Sequence, residues 1–123
     1  MTTAFWCVLI AGLMPYVATS IAKSKRGFDN ADPRSWLAGQ EGYRARANAA
    51  QLNGFEAFPL FAAAVLIAQF LHAPQQRIDL LALAFIAARV AYLVCYVANQ
   101  PTLRSLMWLC GLGCVMGLFW ISV

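Results

Sequence analysis

Glu56 and Arg89 are the side chains of this 123-residue chain best placed to do chemistry, because each interrupts a run apolar enough to cross a bilayer. A charge in hydrocarbon costs several kcal/mol unless it is paired or hydrated, so a deep acid and a deep base mark a candidate site. Counted from the ends of their segments, both fall roughly 15 Å below the same membrane face at about 1.5 Å of rise per residue. They are expected to meet as an ion pair, with Asn53 one turn from Glu56 on the same face. Pro59 adds polarity there, because it has no N–H and leaves the Phe55 carbonyl without its helical partner.

Arg89, Tyr92, Tyr96 and Asn99 follow a 3, 4, 3 spacing and therefore share one helical stripe running outward from mid-membrane. Pro101 ends that helix, and Arg104 and Ser105 open the next at the same level. The spacing predicts a cleft lined by Arg46, Asn53, Glu56, Arg89, Tyr92, Tyr96, Arg104 and Ser105. Its cations and phenols suit a small polar anion, and its carboxylate suits an ammonium group. Each residue also has a plainer reading: the tyrosines as an interfacial aromatic belt, Arg104 as a topology anchor, Glu56 with Arg89 as a structural pair. Their coincidence at one depth favours a site.

The elements that position these residues follow from composition. The chain is 62% hydrophobic and 11% charged with a mean hydropathy of +0.64, too apolar for a soluble domain of this size. Four spans are expected, at about 4–22, 46–71, 78–98 and 103–122, each near the length a helix needs to cross about 30 Å of hydrocarbon. The fold class is all-α, an integral membrane four-helix bundle over 1–123 as one domain. The first segment reads as a retained helix, since it lacks a basic leader and contains Pro15. The connection from Lys23 to Arg46 is expected to be the one real loop. It carries Lys23, Lys25, Arg26, Arg34, Arg44 and Arg46, and Arg104 lies beside the third connection. Against these only Arg77 marks the other side, so the loop is expected to be cytoplasmic and both termini outside, in a bacterial inner membrane. The same basic residues are poor evidence for a nucleic-acid partner, having only Phe28 and Trp36 among them and lying against a membrane. The cysteines, Cys7, Cys95, Cys110 and Cys114, fall inside spans with no metal-binding spacing and read as packing residues, so no metal is expected. His72 reads as interfacial.

Three stretches resemble the MAPEG superfamily, the membrane-associated proteins in eicosanoid and glutathione metabolism, in its microsomal glutathione transferase and leukotriene-forming branches. NGFEAFPLF at Asn53–Phe61 resembles the family's N-x-x-E-x-F-P-x-F, ARVAYLVCY at Ala88–Tyr96 resembles its A-R-x-x-(Y/H)-x-x-x-Y, and LRS at Leu103–Ser105 matches the head of its fourth helix. The resemblance implies a homotrimer with glutathione bound at each subunit interface, open toward the cytoplasm. It implies contacts from Asn53, Glu56, Tyr92 and Tyr96, an Arg89–Glu56 pair, Arg104 as the group stabilising the glutathione thiolate, and a catalytic part for Ser105. The implied activity is glutathione transfer to lipophilic electrophiles, or reduction of lipid hydroperoxides, arriving from the lipid bilayer. Lys25 and Arg26 loosely resemble basic residues after the family's first helix. One departure stands out: the pattern has an arginine four residues before Asn53, where this chain has Ala49, and this leaves two alternatives: Arg44 or Arg46 reaches in instead, or the tripeptide site is degraded. Two other readings compete. One is a non-catalytic membrane assembly protein, supported by Ala49 and by Gly113-x-x-x-Gly117. The other is a small proton-coupled transporter, disfavoured because Glu56 lies in the second span with Arg89 available.

Overall fold

A computed structural model of the chain covers residues 1–123 and is entirely helical. Four helices are long and apolar enough to cross a membrane: α1 (Thr3–Ala22), α3 (Gly42–Phe70), α4 (Gln75–Val97) and α5 (Pro101–Trp120). The expected four-span bundle is therefore present. The loop differs from its expectation in two ways. It contains a short helix, α2 (Pro33–Ala38), capped by Asp32, whose Oδ1 accepts from the Ser35 N–H at 3.4 Å ahead of Pro33. In addition, α3 begins at Gly42, four residues before Arg46, so its polar first turn projects beyond the apolar stretch.

Successive spans alternate in direction. The C-termini of α1 and α4 and the N-termini of α3 and α5 share the end that carries the loop. Both tight connections are sequence-encoded stops. After α3 the chain turns left-handed at His72 (φ 56°), with Ala73 N–H donating to Ala68 O at 3.0 Å and His72 N–H to Gln69 O at 3.1 Å. After α4 the same motif recurs at Asn99 (φ 58°), where Gln100 N–H donates to Cys95 O at 2.8 Å. Pro74 and Pro101 then prevent either helix from continuing.

Packing is lateral and alanine-rich. α1 packs chiefly on α3 and α5 chiefly on α4, while α3 and α4 form the central pair and each touch both outer helices. On α1 the buried residues Ala4, Cys7, Ala11, Pro15, Ala18 and Ala22 repeat at three- and four-residue intervals, a seam of small side chains that lets α3 approach closely. Gly54 of α3 is the tightest point of that seam: a Cβ there would lie 3.0 Å from Pro15 Cγ. Between α3 and α4 the rings of Phe61 and Phe85 stack with centroids 3.9 Å apart. Only 22 of 123 residues are buried, and Leu9, Leu13, Leu66, Leu80, Leu109 and Met116 point outward. An apolar exterior around an apolar core suits lipid as the solvent.

At the end remote from the loop, Asp79 fastens α1 to α4. Its Oδ1 accepts from the Ala4 N–H and from Gln75 Nε2, both at 2.9 Å, which places a carboxylate on the positive end of α1. The two glycines of Gly113-x-x-x-Gly117 behave differently. A Cβ at Gly117 would meet Leu81 of α4 at 3.2 Å, whereas Gly113 has nothing within 4 Å.

Candidate functional site

Asn53 and Glu56 stand one turn apart on the flank of α3 that faces α5, and α4 places Arg89 opposite them. Together with Ala57, Leu60, Phe85, Trp108, Gly111, Leu112 and Val115 they line a recess of about 220 Å³ between α3, α4 and α5. The apolar walls come from the same helical register as the polar groups. Trp108, Gly111 and Val115 continue the stripe that Arg104 begins on α5, at intervals of 4, 3 and 4 residues.

The expected Glu56–Arg89 ion pair does not form. The guanidinium of Arg89 instead lies over the ring of Tyr92, three residues along its own helix, at 4.2 Å from the centroid. Arg89 is 92% buried and Glu56 is exposed on the bundle's surface at the mouth of the recess, so the two share the space without touching. Asn53 Oδ1 is buried with no hydrogen-bond partner. A guanidinium, a carboxylate and an amide side chain thus line one cavity without pairing to one another.

From Arg89 a ladder runs toward the loop end. Tyr92 and Tyr96 meet edge to face at 5.6 Å, and the guanidinium of Arg104 lies over Tyr96 at 4.6 Å. Two cations and two phenols therefore form one continuous stack across α4 and α5. Ser105, beside Arg104, is exposed. Both sit in the first turn of α5, which has no side-chain cap, so its unpaired backbone N–H groups add positive potential at the point where Arg104 ends the stack.

The remaining arginines are placed otherwise. Arg46 donates from both Nε and Nη2 to Val97 O, at 3.2 and 3.1 Å, and so caps the last turn of α4. Arg44 lies on the opposite face of α3, its guanidinium over Tyr43 at 4.6 Å. Neither side chain lines the recess. Sequence reasoning passed over Trp108, although its spacing from Arg104 signalled it, and passed over Asp79, for which only a carboxylate in the first turn of a span was visible. It also missed Gln51, whose buried Oε1 lacks a partner on the Arg44 face. A second, smaller cavity of about 20 Å³ lies behind the site between α1, α3 and α4, lined by Pro15, Gly54, Arg89 and Tyr92 among others.

A bundle of four helices long and apolar enough to cross a membrane, with a recess lined by Asn53, Glu56 and Arg89, has the architecture of an integral membrane protein. The profile of the MAPEG family matches residues 3–123, and the chain belongs to that family. Comparison with curated proteins gives no match. Membership sets the chain, in general terms, among membrane proteins of glutathione-related function.

Proposed function

We propose that the chain is a glutathione-dependent membrane transferase or peroxidase acting on lipophilic electrophiles or lipid hydroperoxides, working as a homotrimer. The observation that carries this reading is the recess of Asn53, Glu56 and Arg89 joined through Tyr92 and Tyr96 to Arg104. These residues suit a small peptide thiol with both charges on its backbone: acceptors for an amine, a guanidinium for a carboxylate, and a separate cation for the sulfur. Glutathione, when bound, supplies the nucleophilic sulfur. Arg104 favours its thiolate, since a free thiol has a pKa of about 8.5 and an adjacent cation stabilises the charged form. The Tyr96 ring fixes the Arg104 guanidinium, and its phenol can donate a proton to the oxygen released from an epoxide or hydroperoxide. Ser105 supplies a second hydroxyl beside Arg104.

The trimer is supported by Glu56. In a single subunit this carboxylate is exposed at the middle of an apolar helix, where facing hydrocarbon would cost several kcal/mol. A neighbouring copy over that surface, closing the mouth of the recess, removes the cost. The basic residues of the loop support an orientation with the Arg104 end at the cytoplasmic face of a bacterial inner membrane, where glutathione is available.

The test is Arg104→Ala in purified trimer. Loss of one pKa unit of thiolate stabilisation corresponds to about 1.4 kcal/mol, so turnover at neutral pH should fall about tenfold or more with assembly intact. Unchanged turnover removes Arg104 from the mechanism. The competing reading is a non-catalytic assembly protein that keeps the fold. It draws on the commitment of Arg46 to Val97 and on the open face at Gly113. Calorimetry decides between them, because that reading predicts no heat with millimolar glutathione.

A further inference from the structure

Arg89 lines two cavities. Besides the recess it borders the smaller one between α1, α3 and α4, together with Ala11 and Pro15 of α1, Ala50 and Gly54 of α3, and Tyr92. It is 92% buried and makes no hydrogen bond or ion pair within the chain. The ring of Tyr92 covers one face of the guanidinium at 4.2 Å, a contact that uses none of its N–H donors. Across the cavity α1 carries the complementary defect. Pro15 has no N–H, so the Ala11 carbonyl lacks its α-helical donor. The nearby hydroxyls do not replace that donor, because Thr19 donates to Pro15 O at 2.9 Å and Ser20 to Tyr16 O at 3.0 Å. The packing register puts donor and acceptor at one level. Gly12 faces the Phe58 ring and Gly54 faces Pro15, so the Ala11–Pro15 turn lies beside Ala57 of α3. Phe61 stacks on Phe85, and one turn toward the loop end from that pair lie Ala57 and Arg89.

We infer that this smaller cavity is a binding site for one water molecule, which accepts from the Arg89 guanidinium and donates to the Ala11 carbonyl. Size selects the occupant: about 20 Å³ exceeds the roughly 10–15 Å³ that a single water requires and excludes an organic ligand. Polarity selects it as well. The guanidinium repels a cation and the carbonyl repels an anion, whereas water is an acceptor toward the first and a donor toward the second. Tyr92, whose phenol makes no hydrogen bond within the chain, adds a third polar group to the wall. Water is one of the means by which carbonyls freed by proline are satisfied inside membrane helices. With Tyr92 against its face and the water at its edge, the guanidinium is held in one orientation, and its remaining donors keep their direction toward the recess. Pro15 is thus a positioning residue for Arg89. It lies outside the recess and acts through the Ala11 carbonyl and the water. This site does not depend on what the recess binds.

The experiment is a structure of the full-length protein crystallised from a lipid mesophase, at a resolution that shows ordered water, with a bromide soak beside it. One density peak is expected about 2.7–3.2 Å from both the Arg89 guanidinium and the Ala11 carbonyl oxygen. A cavity without density overturns the site, and an anomalous bromide signal there overturns it in favour of an anion. Pro15→Ala returns an N–H to the Ala11 carbonyl and should lower the occupancy of the peak; an unchanged peak removes the carbonyl from the site. The hold on Arg89 is tested by Ala50→Thr and Ala50→Val, two side chains of one shape introduced at a buried position on the cavity wall. Either displaces the water, but only the threonine hydroxyl can take its place against the guanidinium. The unfolding equilibrium in SDS should therefore shift about tenfold further toward the unfolded state for valine than for threonine, the cost of a buried donor left unsatisfied. Hydrogen exchange at the Arg89 Nε–H, followed by NMR, should accelerate in the valine variant alone. Equal shifts and equal exchange would make the cavity a matter of packing and overturn the positioning role. Should neither variant fold, the wild-type peak and its response to Pro15→Ala still decide for or against the site.

Discussion

Replacing Arg46 by leucine distinguishes a helix cap from a ligand contact. In the structure two N–H groups of Arg46 converge on the single carbonyl of Val97, so the substitution removes one charge-assisted acceptor contact, not two. Hydrogen bonds from charged donors contribute about 1.5–3 kcal/mol, and because the two donors share an acceptor the loss should lie near 2 kcal/mol. Unfolding would begin at the last turn of α4. Tyr96 lies there, and its ring supports the Arg104 guanidinium at 4.6 Å. The expected phenotype is therefore a less stable bundle with nearly normal glutathione affinity and a moderate fall in turnover. Stability is read from the midpoint of SDS-induced loss of helicity in mixed micelles, affinity from calorimetry on the same preparation. An Arg46→Leu protein of normal stability with glutathione affinity reduced tenfold would refute the cap and make Arg46 a ligand contact.

Substitutions at four further positions test the frame around the site. Gly54→Ala forces a methyl group to 3.0 Å from the Pro15 ring and should destabilise the bundle by about 1–3 kcal/mol, read as an SDS midpoint shift. Gly113→Ala meets nothing within the subunit and should raise helix stability by about 0.5–1 kcal/mol; dissociation of the trimer instead, seen by chromatography, would place Gly113 at a contact between copies. Asp79→Asn keeps an acceptor for the Ala4 N–H but loses the charge on the α1 terminus, so it should cost about 0.3–1 kcal/mol, with Asp79→Ala costing more. His72→Gly relieves a left-handed backbone position and should stabilise the α3–α4 turn by about 1 kcal/mol, detected as slower hydrogen exchange at Ala73.

The spans were legible because a membrane demands about 20 apolar residues in a row, a signal strong enough to survive Pro15 and Pro59 inside helices. Depth was legible for the same reason: rise per residue alone put Glu56 and Arg89 at one level, and the structure places both on one recess. Their pairing was not legible. Whether a guanidinium meets a carboxylate on the next helix or a phenol one turn along its own depends on the rotation of each helix, which no residue spacing reports. The role of Arg46 was hidden for a related reason, since a side chain at the start of α3 can serve the ligand or the last carbonyl of α4, and both lie within its reach. The start of α3 and the presence of α2 were missed because polar turns at the membrane edge carry no apolar periodicity. The cap Asp32 ahead of Pro33 was the available signal for α2.

The absence of the internal ion pair bears on why these charges persist in an apolar protein. A Glu56–Arg89 bridge would satisfy both groups within one subunit and leave little reason for a zwitterion to bind, because the ligand would have to break that bridge first. Stacking Arg89 on Tyr92 holds the cation by a weaker attraction, about 2 kcal/mol when desolvated, and leaves its donors open. Glu56, turned to the subunit surface, is then unsatisfied within one subunit, and on the proposed function a second copy and a ligand cover it. Assembly and binding should therefore reinforce each other: saturating glutathione should shift the trimer's dissociation to higher detergent concentration, and Glu56→Gln should abolish most of that shift while stabilising the empty subunit. A trimer whose dissociation ignores glutathione in the wild type would show that the carboxylate is satisfied by assembly alone.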